Sequence, residues 1–164
     1  AWGHLDESPT RIEAPLGRHP TDRKRMAVLA EGRPARTDAW CVARFQVADL
    51  LRLELHSGRT HQIRVHLAHI GHPVVGDPVY GAGGSRRISG SARLIAEAVE
   101  RAAGRQALHA ASLAFKHPVT EAALEFRSEW PADLRLALEL AAGDSVSVAP
   151  EAALRYLLFF NRDG

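Results

Sequence analysis

Alternating apolar and polar residues predict two strands in the middle of the chain. Leu51, Leu53 and Leu55 alternate with Arg52 and Glu54, which is the period-two pattern of a half-buried strand. An apolar segment over residues 41–47 precedes them, and only residues 48–50 separate the two segments. So short a connection predicts an antiparallel hairpin.

The spacing becomes helical after residue 58. Ile63, Leu67 and Ile70 recur at the interval that places apolar residues along one buried stripe of a helix. We expect Thr60 to cap this helix at its start and Gly71 to close it.

Further elements are predicted downstream. A loop over residues 74–84 should be followed by a helix over 91–103, a strand pair over 107–115 and 123–126, and a helix over 131–140. We expect Ser91 to cap the helix over 91–103. The residues expected on its apolar face are Leu94, Ile95, Ala98, Val99 and Ala102. Strands and helices that alternate irregularly through antiparallel links predict an α+β fold, with a mixed, mostly antiparallel sheet flanked by helices.

Length and composition fit one folded unit. The 164 residues are enough for a single core, and we expect residues 1–141 to form it, with residues 142–164 as a tail that the pattern does not define. No apolar run approaches the ~20 residues that cross a bilayer, so no membrane partner is expected. The single cysteine, Cys41, excludes an internal disulfide and fits a reducing cytoplasm.

Positive charge is concentrated near the start of the chain, although the net charge is only +2. A basic stretch on a nearly neutral chain indicates one face that binds an anion, most often phosphate, while a solvated charged loop is the alternative. The basic residues of this stretch are Arg18, Arg23, Lys24, Arg25, Arg33 and Arg36.

Four histidines between residues 61 and 72 raise the question of a metal site. Only His66 and His69 share a face of the predicted helix, because His61 is five residues before His66 and His72 follows the helix end. No carboxylate occurs between residues 57 and 76. We therefore expect no metal, and expect these histidines to bond to phosphate or backbone.

Two arginines surround the predicted helix start. Backbone N–H groups there already favour anions, and the guanidinium groups of Arg59 and Arg64 would strengthen that preference. Arg64 follows the buried Ile63 and should itself be partly buried, so it needs an acidic partner. An ion pair with Asp77 or Glu54 that only stabilises the domain is one interpretation, and a role in an anion site is the other.

Residues 58–81, GRTHQIRVHLAHIGHPVVGDPVYG, closely resemble a signature segment of the RluA/RluD family of pseudouridine synthases. Residues 12–28 upstream and residues 105–110 and 115–120 downstream resemble the same family at the same relative places. The resemblance implies the C-terminal half of the pseudouridine synthase catalytic-domain fold.

The resemblance also implies a reaction. Enzymes of this family isomerise uridine in RNA by detaching the base, rotating it and rejoining it through carbon, with no cofactor. An aspartate in a segment resembling H-R-L-D-x-x-T-S-G is the nucleophile, and a tyrosine contacts the base. An arginine pairs with that aspartate, and by motif position it corresponds to Arg64. Ile63 would help wall the base pocket, Arg59, His61 and Gln62 would bind substrate, and the RNA backbone would be bound by Arg18, His19, Arg23, Lys24 and Arg25.

One departure from the family pattern is large. None of the eight aspartates lies in a nucleophile segment, and Asp77 matches a separate stretch, where we expect it to form a turn. We expect the nucleophile segment to precede Ala1, and the chain alone to be inactive. Large-subunit ribosomal RNA is the expected substrate and transfer RNA the second choice, while a non-catalytic RNA-binding module of the same fold is a further alternative.

Overall fold

A three-stranded antiparallel sheet and two β-hairpins combine with three α-helices in the computed structural model, which describes residues 1–81 and 83–143. The α+β expectation is confirmed. Short 3-10 helices cover Gly84–Arg87 and Ala132–Leu134. The main elements are β1 (Thr10–Glu13), β2 (Leu16–Arg18), β3 (Met26–Val28), β4 (Arg36–Arg44), β5 (Asp49–Leu55), α1 (Gln62–His69), α2 (Ala92–Ala103), β6 (Ser112–Lys116), β7 (Ala123–Arg127) and α3 (Arg135–Ala142).

The sheet has the order β1-β4-β5, and β4 pairs antiparallel with β5 as the alternation predicted. Strand β4 begins at Arg36 rather than at residue 41, because residues 36–39 pair with β1 on one side and residues 37–39 pair with β5 on the other. Thr37 and Ala39 are fully buried in this central position. The polar residues near the start of β4 do not follow the apolar pattern, so the sequence did not predict that part of the strand.

Helix α1 packs between the sheet and the β2–β3 hairpin. Leu67 packs with Ile12 of β1, and Ile63 and Ile70 border the same cluster, which confirms the predicted stripe. Val65 faces a second cluster with Leu16 of β2. The helix therefore buries two faces, and only one was predicted.

The ends of α1 differ in how well they were predicted. The N-cap is His61, whose backbone is left-handed at φ 56°, and the expectation that Thr60 caps the helix is wrong. Gly71 does close the helix, with the positive φ of 89° that a residue without Cβ adopts readily. His61 thus occupies a conformation that costs most residues about 1 kcal/mol or more.

Helices α2 and α3 pack against each other beside Trp2. Ser91 is the N-cap of α2, although its side chain makes no capping hydrogen bond. Val99 is buried as predicted, but Leu94 is 75% exposed and the small residues Ala96 and Ala103 form the contact instead. Small residues let two helices approach closely.

The last strand pair is shorter than predicted. Residues 107–111 lie outside strands, and the β6–β7 hairpin exposes both faces, with Phe115 and Phe126 stacked 5.9 Å apart. The predicted tail covered residues 142–164. Ala142 ends α3, and the tail from residue 144 onward lies outside the described residues. Among the helices that the structure describes, none has the length and apolar character to cross a membrane.

Candidate functional site

Arg64 and Asp77 form a two-pronged ion pair at the centre of the site. The Nε and Nη2 atoms of Arg64 donate to Asp77 Oδ2 and Oδ1, both at 2.7 Å. The Asp77 side chain is fully buried and that of Arg64 is 12% exposed. Arg64 therefore has the acidic partner that its burial required, and the first of the two predicted candidates supplies it.

Asp77 also shapes the loop that carries it. Its Oδ1 atom accepts hydrogen bonds from the backbone N–H groups of Val79 and Tyr80, at 2.9 and 3.0 Å. Gly76 precedes it with φ 69°, and a Cβ there would collide with the Arg105 carbonyl oxygen. The expectation that Asp77 forms a turn is confirmed.

The ion pair fixes the charge of both groups. The hydrogen bonds with Asp77 raise the pKa of the Arg64 guanidinium, against the effect of burial. Burial alone would raise the pKa of the Asp77 carboxyl, but the bonds from Arg64 and from the backbone outweigh it and hold that pKa below its ordinary value. Both groups are charged near neutral pH.

Arg64 keeps donors that Asp77 does not use. A guanidinium has five N–H groups, and Asp77 accepts one from Nε and one from Nη2. Within the described residues no hydrogen bond engages the other three, which lie on Nη1 and Nη2. Arg64 is thus anchored along one edge and has its other edge free for a second anion.

Tyr80 lies next to this arginine. The Arg64 guanidinium is 4.8 Å from the centre of the Tyr80 ring, and that of Arg25 is 5.3 Å from it. The Tyr80 hydroxyl lies 2.9 Å from His61 Nδ1 and accepts the Met26 N–H at 2.7 Å. Tyr80 thus touches both α1 and the start of β3.

Gln62 holds the loop before α1. Its Oε1 accepts from the Ser57 hydroxyl and the Arg59 N–H, and its Nε2 donates to the Arg36 carbonyl and the Thr37 hydroxyl. These four bonds use the full capacity of the amide, and the side chain is buried. Gln62 therefore acts on the site through the loop, and the prediction that it touches substrate has no support in this geometry.

His66 belongs to the same buried network. Its Nε2 lies 3.0 Å from the Ala14 carbonyl, which can only accept, so Nε2 carries the proton and Nδ1 accepts from the Thr37 hydroxyl. Burial lowers the pKa of His66. Burial and then the charge of Arg64 lower the pKa of His61 as well, so both imidazoles are neutral near pH 7.

The four histidines between residues 61 and 72 do not converge on one point. His72 Nδ1 bonds to the Trp2 carbonyl and His69 is exposed, while His61 and His66 have the partners given above. In residues 1–81 and 83–143, no three His, Cys, Asp or Glu side chains are grouped as a metal would require.

A basic cleft of about 500 Å³ opens between the β2–β3 hairpin and the loop before α1. Six cations and a single carboxylate, Glu31, line it, and none of the six forms an ion pair with a described residue. The Nε of Arg25 is buried without a hydrogen-bond partner. The cations are Arg18, Arg23, Lys24, Arg25, Arg33 and Arg59.

The cleft unites four of the five predicted RNA-binding residues and leaves out His19, and it also leaves out Arg36 of the basic stretch. His19 Nδ1 accepts from the backbone N–H of Asp22 at 3.2 Å, so it braces the loop. The Arg36 guanidinium donates two hydrogen bonds to Asp38 instead of lining the cleft. These bonds lower the pKa of the Asp38 carboxyl to about 2. Ile63 packs beside Leu67, and its predicted place in a base pocket stays a prediction.

Arg33 was part of the predicted basic stretch but was not among the residues expected to bind RNA, and Tyr80 was given no role. Arg33 joins the cleft from across the β2–β3 hairpin, and Tyr80 links the cleft to Arg64. The concentration of basic residues was a usable signal for Arg33. Nothing in the spacing indicated the contacts of Tyr80.

The sequence of the chain is similar to proteins of one family. A family model described as RNA pseudouridylate synthase matches residues 4–69. The chain is 43% identical over 144 residues to ribosomal large subunit pseudouridine synthase D of Escherichia coli strain K12, covering 88% of this chain and 43% of that protein. It is 47% identical over 128 residues to the protein of the same name from Nitrosomonas europaea, covering 78% of this chain and 35% of that one.

A solved structure of a pseudouridylate synthase domain protein has a similar fold. Human RNA pseudouridylate synthase domain containing 1 superposes with a TM-score of 0.61 at 26% identity, over 82% of this chain and 54% of that one. The chain spans less than half the length of the curated relatives named above.

Proposed function

Because the chain belongs to the RluA/RluD family of RNA pseudouridine synthases, we propose that it provides the RNA-binding cleft and the active-site arginine of an enzyme that isomerises uridine in large-subunit ribosomal RNA. The observation that carries the proposal is the anchored guanidinium of Arg64. Asp77 holds one edge of it, and the donors of the other edge are free.

The free edge of Arg64 suits a second carboxylate. An aspartate that attacks uridine must be ionised, and a fixed cation at hydrogen-bond distance both lowers the pKa of such a group and orients it. The ion pair with Asp77 holds one edge of the guanidinium. The attacking aspartate itself would come from sequence outside these 164 residues.

The basic cleft suits the RNA backbone. Arg18, Arg23, Lys24, Arg25, Arg33 and Arg59 lie around one cavity without carboxylate partners among the described residues. A uridine in structured RNA must leave its stack to react, which costs a few kcal/mol. Contacts between phosphates and these side chains would offset that cost.

The choice of RNA rests on the similar proteins. The relatives from Escherichia coli and Nitrosomonas europaea are both named for the large ribosomal subunit. A cytoplasmic location belongs to the same proposal, and the free Cys41 fits it.

Disruption of the gene tests this proposal. Pseudouridines would be mapped in ribosomal and transfer RNA from cells with and without the gene, and again after the intact gene is restored. We expect at least one site in large-subunit RNA to revert to uridine and to be regained on restoration. Loss confined to transfer RNA would establish the second candidate substrate. Unchanged maps for both RNA classes would contradict the proposal.

A further inference from the structure

The Tyr80 side chain contacts Arg64 and also Arg25 and Met26, two residues that line the basic cleft. Its hydroxyl accepts the Met26 N–H at 2.7 Å, and both Arg25 and Met26 line the cleft. Its ring lies under the Arg64 guanidinium at 4.8 Å. The cleft and the arginine are therefore joined through one buried side chain.

The hydroxyl group fixes the position of the ring. Because it accepts from Met26, its own proton is available for His61 Nδ1, 2.9 Å away. Tyr80 is only 5% exposed, so water cannot readily replace either partner. The start of β3 and the N-cap of α1 are held at a fixed separation by these two bonds.

The ring carries two cations. The guanidinium groups of Arg25 and Arg64 are 5.3 and 4.8 Å from its centre, within the range of cation–π attraction. Two positive charges can lie near the same ring because Asp77 neutralises the charge of Arg64. Arg25 has no ion-pair partner among the described residues, and a phosphate in the cleft would provide one.

We propose that Tyr80 is a positioning residue that couples occupancy of the basic cleft by RNA phosphate to the placement of Arg64. This inference rests on the proposed function, and it assigns to Tyr80 a role in that same site. Phosphate that orders Arg25 and Met26 also orders the Tyr80 ring, and the ring supports Arg64. By linkage, Arg64 engaged with its second anion favours the cleft conformation that holds RNA.

Kinetics of the complete protein separate this role from a purely structural one. Tyr80→Phe removes the hydroxyl but keeps the ring, so KM for RNA should rise about fivefold, the equivalent of one net hydrogen bond, with a smaller effect on kcat. Tyr80→Leu also removes the support of Arg64, and kcat should fall by a further factor of about ten. Trp40→Leu is the control, since it removes another cation–π contact, with Arg52 at 4.6 Å, outside the cleft.

A spectroscopic readout tests the coupling without turnover. The Arg64 Nε–H donates to Asp77 and should exchange slowly enough to give an NMR signal. Hexauridylate, added as the probe, should shift this signal in the unsubstituted protein and in Trp40→Leu, and should leave it unmoved in Tyr80→Leu. Where Tyr80→Leu fails to fold, Tyr80→Phe should show a reduced shift.

The outcomes separate the two proposals. A Tyr80→Phe variant with unchanged KM, or an Arg64 shift that persists in full without the tyrosine ring, would overturn the role of Tyr80. An unsubstituted protein whose Arg64 signal ignores hexauridylate would overturn it too. If the Arg64 signal shifts and the shift depends on Tyr80, but the protein forms pseudouridine in no RNA, only the proposed function would be overturned.

Discussion

Arg64 and Asp77 meet edge to edge, with two N–O distances of 2.7 Å and a carboxylate that solvent does not reach. The two interpretations of Arg64 from sequence, a structural ion pair and an active-site group, are therefore compatible. The pair uses two of five N–H donors, and the proposed function needs only the remainder.

The first prediction concerns this ion pair. Asp77→Asn leaves a largely buried guanidinium without its counter-charge, so the free energy of unfolding of the complete protein should fall by about 3 kcal/mol. Asp133→Asn is the matched control, because Asp133 also forms a two-pronged pair, with Arg105, but its side chain is 57% exposed. Chemical denaturation should show a much smaller loss for the control, and equal losses would contradict the assigned importance of burial.

Gln62 gives a second prediction. Gln62→Leu keeps the size of the side chain but leaves Ser57, Arg59 and Thr37 without their partner, which should cost roughly 3 kcal/mol of stability. The exposed Gln46→Leu should cost little. The denaturation midpoints of the two variants test this difference. A Gln62→Leu variant as stable as Gln46→Leu would show that the hydrogen bonds of Gln62 do not stabilise the protein.

Particular residues show how far the sequence alone could lead. The alternation of Leu51, Leu53 and Leu55 predicted β5, because periodicity is a local property that burial imposes. The start of β4 was missed, since Thr37 and Asp38 are buried polar residues. Gln62 and His66, which bond to Thr37, and His56, which bonds to Asp38, are distant in sequence. Only the fold brings such partners together.

The residues of the site also differ in how far the sequence could predict them. The run of basic residues indicated that Arg18, Arg23, Lys24 and Arg25 form one anion-binding group or a solvated loop, and the structure places all four around one cleft. The contact of Tyr80 with Met26 spans more than fifty positions of the chain, and no spacing rule reaches that far. His61 is a further case, because the capping pattern pointed to Thr60 and gave no sign of a left-handed backbone at residue 61.

Acid should destabilise the protein through its buried histidines. The pKa of His66 is lower in the folded protein than the ordinary value of 6.5, so the unfolded chain binds the proton more tightly. This contribution to stability is complete above about pH 6.5 and is lost as the pH falls towards the folded pKa. His61 acts in the same direction.

Melting temperatures between pH 8 and pH 5 test this dependence. The unsubstituted protein should melt at lower temperature as the pH falls, and His66→Gln should melt lower at pH 8 but depend less on pH. His117→Gln, in the turn between β6 and β7 and away from α1, should keep the original dependence. A His66→Gln protein with an unaltered pH dependence would show that another group is responsible.

The basic cleft predicts salt-sensitive binding. Each phosphate contact contributes about −0.9 to the slope of log affinity against log salt for duplex and about −0.7 for single strands. Combining Arg23→Gln with Lys24→Gln should weaken RNA binding and make the slope shallower by about one to two. Arg101→Gln, which removes one positive charge on the exposed face of α2, is the control and should leave the slope unchanged. Identical slopes for all three proteins would exclude the cleft as the phosphate site.

The rate of pseudouridine formation by an Arg64→Lys variant of the complete protein, at saturating RNA, tests the central claim most directly. Lysine keeps the charge beside Asp77 but cannot hold two carboxylates in a fixed plane, so the account predicts a rate about 100-fold lower in a folded, RNA-binding protein. A rate within about threefold of the unsubstituted enzyme, at equal RNA affinity, would contradict the role proposed for Arg64.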